Sequence, residues 1–438
     1  METLFNRISL EEQLKLAAKV FQHAKTKSAF YKEKFENIED VESYSDWLKI
    51  PFLTRGEVYE NSYPKSKKML TVPIESMIVV STGGSSGIAR YSVLTYNEWD
   101  LFAEYQSKAM KLLGVGKRDI VANMFVSGYL WPSFIGGYEV IKRTGAVCLP
   151  IGAIPKEHMD RVLEYFELFK PTVLLTLPTV ITILTEECKK RKITLESFRL
   201  LQFTSEPLPQ NTEEYIKSVF VNASIRSASY TSADCGIIGY QCNSCGINEY
   251  HIPTDFQLVE IYNFEENRPC EPGEEGEIVV TNLHRFSMPM IRYRLGDVGY
   301  IKQKRCSCGD ENPLLVLKGR AGDDFKIGGA YVSMEDVEAA ISPYFGKEGV
   351  TPTYQLVLSL ADDGRMNFIL RIESSNPPKS KALEEEILES VKQHVDMVNL
   401  AVKEKYFSTF AVEFVPTGTL ARSPVSGKVK RLIDKRTN

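Results

Sequence analysis

The first candidate for chemistry is a run of seven residues, 81–87, that are all serine, threonine or glycine. Glycines let the backbone approach a ligand closely, while successive amides and hydroxyls can surround phosphate oxygens. A Walker A loop would need a lysine after its last glycine and then a helix, whereas Ile88 and Ala89 stand here and a strand-like stretch follows. The run therefore predicts a phosphate-binding loop between two strands, with a flexible hairpin loop as the alternative. The loop residues are Ser81, Thr82, Gly83, Gly84, Ser85, Ser86 and Gly87.

Closely spaced cysteines form a second candidate site. Cys242 and Cys245 are separated by two residues, and Cys306 and Cys308 by one. Four thiolates can hold zinc in a closed tetrahedral site. In a reducing compartment such clusters indicate a metal more often than a disulfide. The cysteines therefore predict a structural zinc site, with unligated thiols in loops as the alternative.

Composition limits the class of protein. A chain of 438 residues is too long for one compact core and suggests two or three domains. The net charge of −4 gives no reason to expect nucleic acid or an anionic membrane as a partner. No apolar run reaches the roughly 18 residues of a membrane helix, and the N-terminal residues lack a signal-peptide core. We therefore expect a cytoplasmic enzyme.

Alternating helix and strand patterns position the loop and the residues that follow it. Apolar periodicity predicts helices within 8–36, 97–112, 156–169 and 178–190, and strands at 120–125, 145–149, 173–177 and 200–203. This alternation indicates an α/β domain with parallel strands, whose ligands bind at the carboxyl ends of the strands. Residues 204–206 and the loop after 228–230 are therefore expected at the binding edge.

The second half of the chain has a different pattern. Short alternating strands separated by turns predict a small antiparallel or barrel-like β subdomain at about 250–318. A compact α+β unit with a basic tail follows. The predicted fold is α/β, with a large N-terminal domain (1–322) of mainly parallel sheets and a smaller C-terminal α+β domain (323–438).

Four segments, in order along the chain, resemble motifs of the acyl-adenylating (ANL) superfamily. They are the loop 81–87, the segment 229–234 (SYTSAD), the segment 293–297 (YRLGD) followed by Gly319-Arg320, and the tail segment 420–431 with its SGKVKR. The segment SEPLP at 205–209 and the segment CSCGD that precedes LKGR narrow the resemblance to one branch of the superfamily. The chain resembles the phenylacetate–CoA ligase branch of that superfamily.

The resemblance implies that ATP activates a carboxylic acid as an acyl-adenylate with release of pyrophosphate, and that the acyl group then passes to CoA. Lys428, on a mobile C-terminal domain, would bridge the carboxylate and the α-phosphate, and Asp297 would accept the ribose hydroxyls. Asp234 stands where the superfamily has a Mg²⁺-binding glutamate. The other nucleotide contacts would come from Tyr230, which would stack on adenine, and from Ser205, Glu206, Thr231, Ser232 and Arg320.

The acid pocket is expected in the aromatic stretch 125–138, whose flat side chains suit a planar aryl acid. The same side chains could instead belong to the hydrophobic core. The resemblance also makes His251 an alternative zinc ligand. The pocket residues are Phe125, Tyr129, Trp131, Phe134 and Tyr138.

The sequence departs from the superfamily pattern in three places. Ile88 replaces the usual loop lysine, with Arg90 as a candidate substitute, and Asp234 is shorter than the usual glutamate. The hinge carboxylate is either Asp323 or Asp324. The first departure weakens the expected hold on the outer phosphates, and the second alters the expected Mg²⁺ geometry.

Two other functions remain open. The acyl group could pass to an amine or a carrier protein instead of CoA, or the chain could be a catalytically silent nucleotide- or acyl-binding homologue. Lys428 could be one cation of a solvated tail, and Asp297 an ordinary turn carboxylate. The sequence names neither the acid nor the oligomeric state, and a homodimer is left open.

Overall fold

The computed structural model describes most of the chain, and the statements below refer to the described residues. These are residues 4–81, 90–128, 130–152, 158–204, 212–320, 325–327, 330–332, 334–345, 347–374, 381–421, 429 and 431–436.

The chain divides into two compact units. The described part of the first unit comprises residues 4–81, 90–204 and 217–320. The second comprises residues 212–216 and the described residues from 325 onward. The predicted domain bounds of 1–322 and 323–438 stay a prediction, since residues before 217 also belong to the second unit.

Three helices of the first unit begin at a capping box that is closed by a glutamate. Ser9, Thr54 and Thr95 each accept a hydrogen bond from a glutamate amide three residues later, and that glutamate side chain returns to the cap amide. The helices are α1 (Leu10–Lys27), α2 (Ala29–Lys34), α3 (Tyr44–Trp47), α4 (Arg55–Asn61), α5 (Tyr96–Leu112), α6 (Ser133–Thr144), α7 (Met159–Phe169) and α8 (Pro178–Arg191). A further helix, α9 (Thr212–Lys217), crosses the division between the units.

The helical stretch predicted within 8–36 is two helices. Ser28 has an extended backbone (φ −99°, ψ 128°), and its hydroxyl caps α2. Its hydroxyl also donates 2.7 Å to the carbonyl of Lys68, a contact between distant segments that ends α1.

A hairpin and a parallel sheet carry the first half of the candidate site. The hairpin strands β1 (Met77–Ser81) and β2 (Tyr91–Thr95) are antiparallel, with Ser81 opposite Tyr91. The parallel strands are β3 (Ile120–Asn123), β4 (Val147–Pro150), β5 (Val173–Thr176), β6 (Leu200–Phe203) and β7 (Ser224–Ser227), in the order β4-β3-β5-β6-β7. The expected α/β alternation is present here.

An antiparallel sheet of six strands lies at 249–320, where the β subdomain was predicted at about 250–318. After the short pair β8 (Tyr230–Ser232) and β9 (Gly236–Gly239), its strands are β10 (Glu249–His251), β11 (Gln257–Asn263), β12 (Arg268–Pro269), β13 (Gly276–Asn282), β14 (Tyr293–Ile301) and β15 (Leu314–Arg320), in the order β10-β15-β14-β13-β11-β12. Asp297 lies within β14, so it is a strand residue and not a turn carboxylate.

A buried ion pair ties the N-terminal segment to this sheet at the start of β14. Arg292, which is fully buried, donates to both carboxylate oxygens of Glu260 at 3.1 and 2.8 Å. The indole nitrogen of Trp47 donates to the same carboxylate at 3.1 Å, and Arg292 also donates to the carbonyls of Leu48 and Ile50. These bonds satisfy the buried charges and hold the N-terminal segment beside the strand that carries Asp297.

The second unit is α+β, as expected. Its elements are β16 (Phe325–Ile327), β17 (Ala330–Val332), α10 (Met334–Ile341), the 3₁₀ turns Ser342–Tyr344 and Lys347–Gly349, β18 (Val350–Leu360), β19 (Met366–Ser374), α11 (Ala382–His394), α12 (Asp396–Lys403), β20 (Phe407–Pro416) and β21 (Leu432–Asp434). The four-stranded sheet has the order β20-β19-β18-β21, with β18 and β19 antiparallel and the outer pairs parallel. In the described part of the chain, no helix is long and apolar enough to cross a membrane.

Candidate nucleotide site and metal cluster

Two of the motif segments meet at a tyrosine and a carboxylate. The hydroxyl of Tyr230, on β8, donates to Asp297 Oδ2 at 2.6 Å. The two residues are 9% and 8% exposed. The ring of Tyr230 also contacts the ring of Tyr250 on β10, with centroids 5.8 Å apart. The structure therefore places the proposed adenine-stacking ring directly beside the proposed ribose-binding carboxylate.

The backbone around Asp297 is shaped by a close approach. Gly296 has φ +70°, and a Cβ there would lie 2.5 Å from Arg55 Nη2. Arg55 donates to the carbonyl of Leu295. The left-handed backbone favours glycine at this position, and any larger residue would also have to displace the guanidinium of Arg55. In the β14–β15 register Asp297 lies opposite Arg320, so the two segments are cross-strand neighbours; the side chain of Arg320 lies outside the described part.

Asp234 lies in the turn between β8 and β9 and is 1% exposed. Its Oδ1 accepts from the Ser92 hydroxyl at 2.7 Å, and its Oδ2 accepts from the Tyr293 hydroxyl at 3.1 Å. Burial raises the pKa of the Tyr293 phenol, so Tyr293 stays protonated and donates. Arg90 Nε lies 3.9 Å from Oδ2.

This environment does not fit the Mg²⁺ ligand that was expected of Asp234. A hard cation needs carboxylate oxygens that it can reach together with several waters. Both oxygens of Asp234 already accept hydrogen bonds inside the protein, and almost none of the side chain is exposed. We therefore derive no metal ligation through Asp234.

The other predicted nucleotide residues are only partly within the described structure. Ser81 ends β1, is 4% exposed and donates its amide to the carbonyl of Leu130 at 2.8 Å. Thr231 and Ser232 are half-buried on β8, and the Ser232 hydroxyl accepts from the amide of Asp234 at 3.1 Å. The predicted residues that lie outside the described part are Thr82, Gly83, Gly84, Ser85, Ser86, Gly87, Ser205, Glu206 and Lys428, and the pocket residue Tyr129.

The aromatic stretch is divided between the core and the surface. Phe125 is 4% exposed and belongs to the apolar cluster of the parallel sheet, against which Phe134 packs. Trp131 is half-buried, whereas Tyr138 on α6 is 45% exposed. Phe125 and Phe134 therefore share one environment that Tyr138 does not. Their role as an acid pocket stays a prediction.

The predicted metal ligands come together. The ligand atoms of Cys242, Cys245, His251 and Cys306 all lie within 4.8 Å of one another. The Sγ atoms of Cys242 and Cys245 are 3.4 Å apart, and those of Cys242 and Cys306 are 3.6 Å apart. Cys308 Sγ lies 3.5 Å from His251 Nε2. For tetrahedral zinc the bond lengths give edges of about 3.8 Å between sulfurs and about 3.6 Å between sulfur and nitrogen.

Backbone groups around the cluster also suit a metal. The amides of Ser244 and Asp310 point at the sulfurs of Cys242 and Cys308 at 3.3 and 3.4 Å. The Nδ1 of buried His251 lies 3.2 Å from the carbonyl of Asn312, which leaves Nε2 to face the sulfurs. This is the usual support for a metal-binding histidine. The donor set fits zinc, and five candidate ligands surround a site that needs four.

Sequence reasoning missed two residues that hold Asp234. Tyr293 lies in the YRLGD segment but was given no role, although a tyrosine that starts a predicted strand next to a motif aspartate was an available signal. Ser92 carried no signal, because its contact with Asp234 spans 142 residues.

Known proteins resemble this chain in sequence and in fold. Residues 138–287 match the family model described as AMP-binding enzyme. The chain is 25% identical to phenylacetate-coenzyme A ligase of Thermus thermophilus, over 97% of this chain and 96% of the relative. It is 23% identical to phenylacetate-coenzyme A ligase of Aromatoleum evansii, over 95% of this chain and 92% of the relative.

Residues 138–287 therefore resemble an AMP-binding enzyme, and nearly the whole chain is similar to phenylacetate-coenzyme A ligases. The resemblance to the phenylacetate–CoA ligase branch of the acyl-adenylating superfamily that the sequence indicated is confirmed. A solved structure of 2-hydroxyisobutyryl-CoA ligase, in complex with 2-HIB-AMP and CoA in the thioesterification state, matches with a TM-score of 0.78 at 20% identity, over 98% of this chain and 91% of that chain. This match shows a shared fold and confirms the predicted α/β class.

Proposed function

We propose that this protein is an AMP-forming acyl-CoA ligase. It uses ATP to convert a carboxylic acid into an acyl-adenylate, releases pyrophosphate, and transfers the acyl group to CoA as a thioester. Relatives named as phenylacetate-coenzyme A ligases span nearly the whole chain, which favours an aryl acid as substrate and CoA as acceptor.

One observation carries the proposal from the structure. The hydrogen bond between Tyr230 and Asp297 brings an aromatic ring and a carboxylate from separate segments to one place. A carboxylate accepts several hydrogen bonds and donates none, which suits the two hydroxyls of a ribose. A flat ring beside it suits a purine base. The pair therefore supports a nucleoside site in the first unit.

The proposed reaction depends little on covalent catalysis by the protein. Negative charge is spread over phosphoryl oxygens as the acid attacks the α-phosphate, so positioning and charge neutralisation supply the rate enhancement. Lys428 is proposed to hold the acid and the α-phosphate together, because a compact ammonium has three donors. ATP is expected to arrive with Mg²⁺. A structural Zn²⁺ would be held by Cys242, Cys245, Cys306 and either His251 or Cys308.

The test is pyrophosphate release with ATP and a panel of acids, with and without CoA. The panel contains phenylacetate, benzoate, 2-hydroxyisobutyrate and short aliphatic acids, and products are identified by mass spectrometry. We expect release with an aryl acid, and a thioester only when CoA is present. Adenylate without thioester would assign the acyl group to an amine or carrier-protein acceptor. No release with any acid would contradict the ligase reaction.

The catalytic lysine is tested separately. Lys428→Ala is expected to abolish adenylate formation and to spare ATP binding, because the lysine acts on the reacting groups. Lys435→Ala is the matched control, since Lys435 is an exposed cation of the same tail. Equal turnover in the Lys428 variant and the wild type would contradict the proposed mechanism.

A further inference from the structure

The carboxylate of Asp234 is built into its position. Ser92 and Tyr293 each donate to one of its oxygens, and they come from strands β2 and β14. The buried guanidinium of Arg285 donates in turn to the Ser92 hydroxyl at 3.2 Å. A buried carboxylate is costly unless its bonds are satisfied. This network holds the carboxylate of Asp234 in one position more firmly than an ordinary turn residue needs to be held.

Arg90 is the cation that this charge faces. It directly precedes β2 and lies three residues after Gly87, the last residue of the serine-, threonine- and glycine-rich run. Ser81, the first residue of that run, pairs with Tyr91. Its guanidinium nitrogen Nε is 3.9 Å from Asp234 Oδ2. The Arg90 side chain is 21% exposed, whereas the side chain of Asp234 is 2% exposed. The side chain of Arg90 is therefore partly accessible, although its Nε atom is buried, while its partner carboxylate is not accessible.

Neighbouring arginines are less suited to meet a ligand. Arg285 is fully buried. Arg55 donates to the Leu295 carbonyl and packs against Gly296. Of these three arginines, Arg90 is the one whose side chain is partly exposed and that lies three residues after the last glycine of the phosphate-loop candidate. A guanidinium presents five donors in a planar fork that matches phosphate oxygens.

We propose that Arg90 binds the outer phosphates of ATP and that Asp234 is the positioning residue that orients its guanidinium. This inference rests on the proposed function, in which Lys428 acts at the α-phosphate. It gives one explanation for two features of the chain. Ile88 leaves the run without a lysine, and Asp234 is too buried to serve a metal. The guanidinium and its buried partner supply the positive charge instead.

The first experiment measures binding of ATP and of AMP by titration calorimetry. Arg90→Met removes the charge and keeps the side-chain length, and we expect it to weaken ATP binding by roughly ten- to hundredfold. AMP binding is expected to stay unchanged, because AMP lacks the outer phosphates. Arg90→Lys restores the charge without the fork and should lose less affinity. Arg268→Met is the matched control, since Arg268 pairs with Glu266 and Glu274 on the edge strand β12.

The second experiment separates positioning from metal ligation. Asp234→Asn is expected to weaken ATP binding, while the Mg²⁺ concentration at half-maximal pyrophosphate release stays that of the wild type. The double variant Arg90→Met/Asp234→Asn should bind ATP no more weakly than Arg90→Met alone. Asp234 acts only by orienting the Arg90 guanidinium, so its substitution has no further effect once that guanidinium is gone. Circular dichroism and the Arg90→Lys variant guard against misfolding.

Four outcomes would overturn the inference. Wild-type ATP affinity in Arg90→Met would remove Arg90 from the site. A shifted Mg²⁺ requirement in Asp234→Asn would make Asp234 a metal ligand. A wild-type protein that binds no ATP would overturn the proposed function together with this inference. ATP binding in the wild type with no effect of either substitution would overturn the inference alone.

Discussion

The hydroxyl of Tyr230 lies 2.6 Å from the carboxylate of Asp297, and this contact joins two segments that are 67 residues apart. Asp297 is held from one side by this bond and from the other by the β14–β15 pairing. The tyrosine ring is held in turn by Tyr250. The carboxylate and the ring are therefore oriented before a nucleotide arrives, which lowers the ordering cost of binding.

Removal of that hydroxyl should weaken nucleotide binding and leave the ring in place. Tyr230→Phe is expected to raise the KM for ATP by about tenfold, because a charged hydrogen bond orients the carboxylate. The KM for the acid should not change. Tyr262→Phe is the control, since Tyr262 is also buried and donates to Asn267 at 3.1 Å, away from Asp297. An unchanged KM for ATP in Tyr230→Phe would show that the bond does not prepare the site.

The metal cluster predicts a definite stoichiometry. Elemental analysis of protein purified without added metal should find about one zinc per chain, as expected for a closed tetrahedral site. Cys242→Ser should lose the zinc and lower the melting temperature, because the metal joins the segment after β9 to the segment before β15. Cys148→Ser is the control, as Cys148 lies on β4. Metal-free wild-type protein with unchanged stability would refute the site.

The fourth ligand can be assigned by two further variants. His251 belongs to the set of ligand atoms that lie within 4.8 Å of one another, together with Cys242, Cys245 and Cys306. We therefore expect His251→Gln to lose zinc and Cys308→Ser to retain most of it. The reverse result would assign the position to Cys308.

Local patterns predicted the elements that depend on local physics. The alternation of β3 to β7 with helices follows from apolar periodicity, and Ser9 caps α1 as its side chain allows. The cysteine pairs meet because each pair is short and sits next to one of two neighbouring strands, β10 and β15. Spacing alone could not choose between His251 and Cys308, since both approach the same sulfurs.

The features that the sequence did not predict depend on contacts between distant segments. Asp234 has the residue type of a metal ligand, and its burial follows from Ser92 and Tyr293, which are 142 and 59 residues away. The break between α1 and α2 likewise depends on Ser28 reaching the carbonyl of Lys68. No periodicity within a segment encodes such a contact, so a motif position alone could not assign the role of Asp234.

The buried pair of Arg292 and Glu260 should be a large contributor to the stability of the first unit. Glu260→Gln keeps the shape and removes the charge, leaving a fully buried guanidinium without its ion pair. The expected loss is about 3–5 kcal/mol in the free energy of unfolding. Urea unfolding is followed by tryptophan emission, which reports the first unit because all three tryptophans, Trp47, Trp99 and Trp131, lie in it.

The control for this prediction is an exposed pair. Glu11→Gln removes the partner of Lys15 on the surface of α1, where the expected loss is under about 1 kcal/mol. Equal losses in the two variants would contradict a special role for the buried pair.

Glu98 should make the stability of the first unit depend on pH. It closes the capping box of α5, and its Oε1 also accepts from the amides of Phe286 and Ser287 at 2.8 and 2.9 Å. Burial alone would raise the pKa of this carboxyl, but the hydrogen bonds from Ser287 and Thr95 and the nearby charge of Arg285 together outweigh it and hold the pKa below the ordinary value of 4.5. The ionised form is therefore the one that the folded state favours.

A carboxyl whose pKa is lower in the folded state stabilises the fold above its unfolded pKa, and this contribution is lost as the pH falls through the folded value. Glu98→Gln is therefore expected to cost about 1–3 kcal/mol at pH 7, and the difference from the wild type should shrink once the pH is below 4.5. Glu12→Gln is the matched control, because Glu12 closes the same box on α1 but is exposed and bonds only to Ser9 among the described residues. The test measures the urea concentration at the midpoint of unfolding, by tryptophan emission, for both variants and the wild type from pH 7 to below pH 4.5. A difference that stays constant with pH would show that Glu98 acts through its shape and not through its charge.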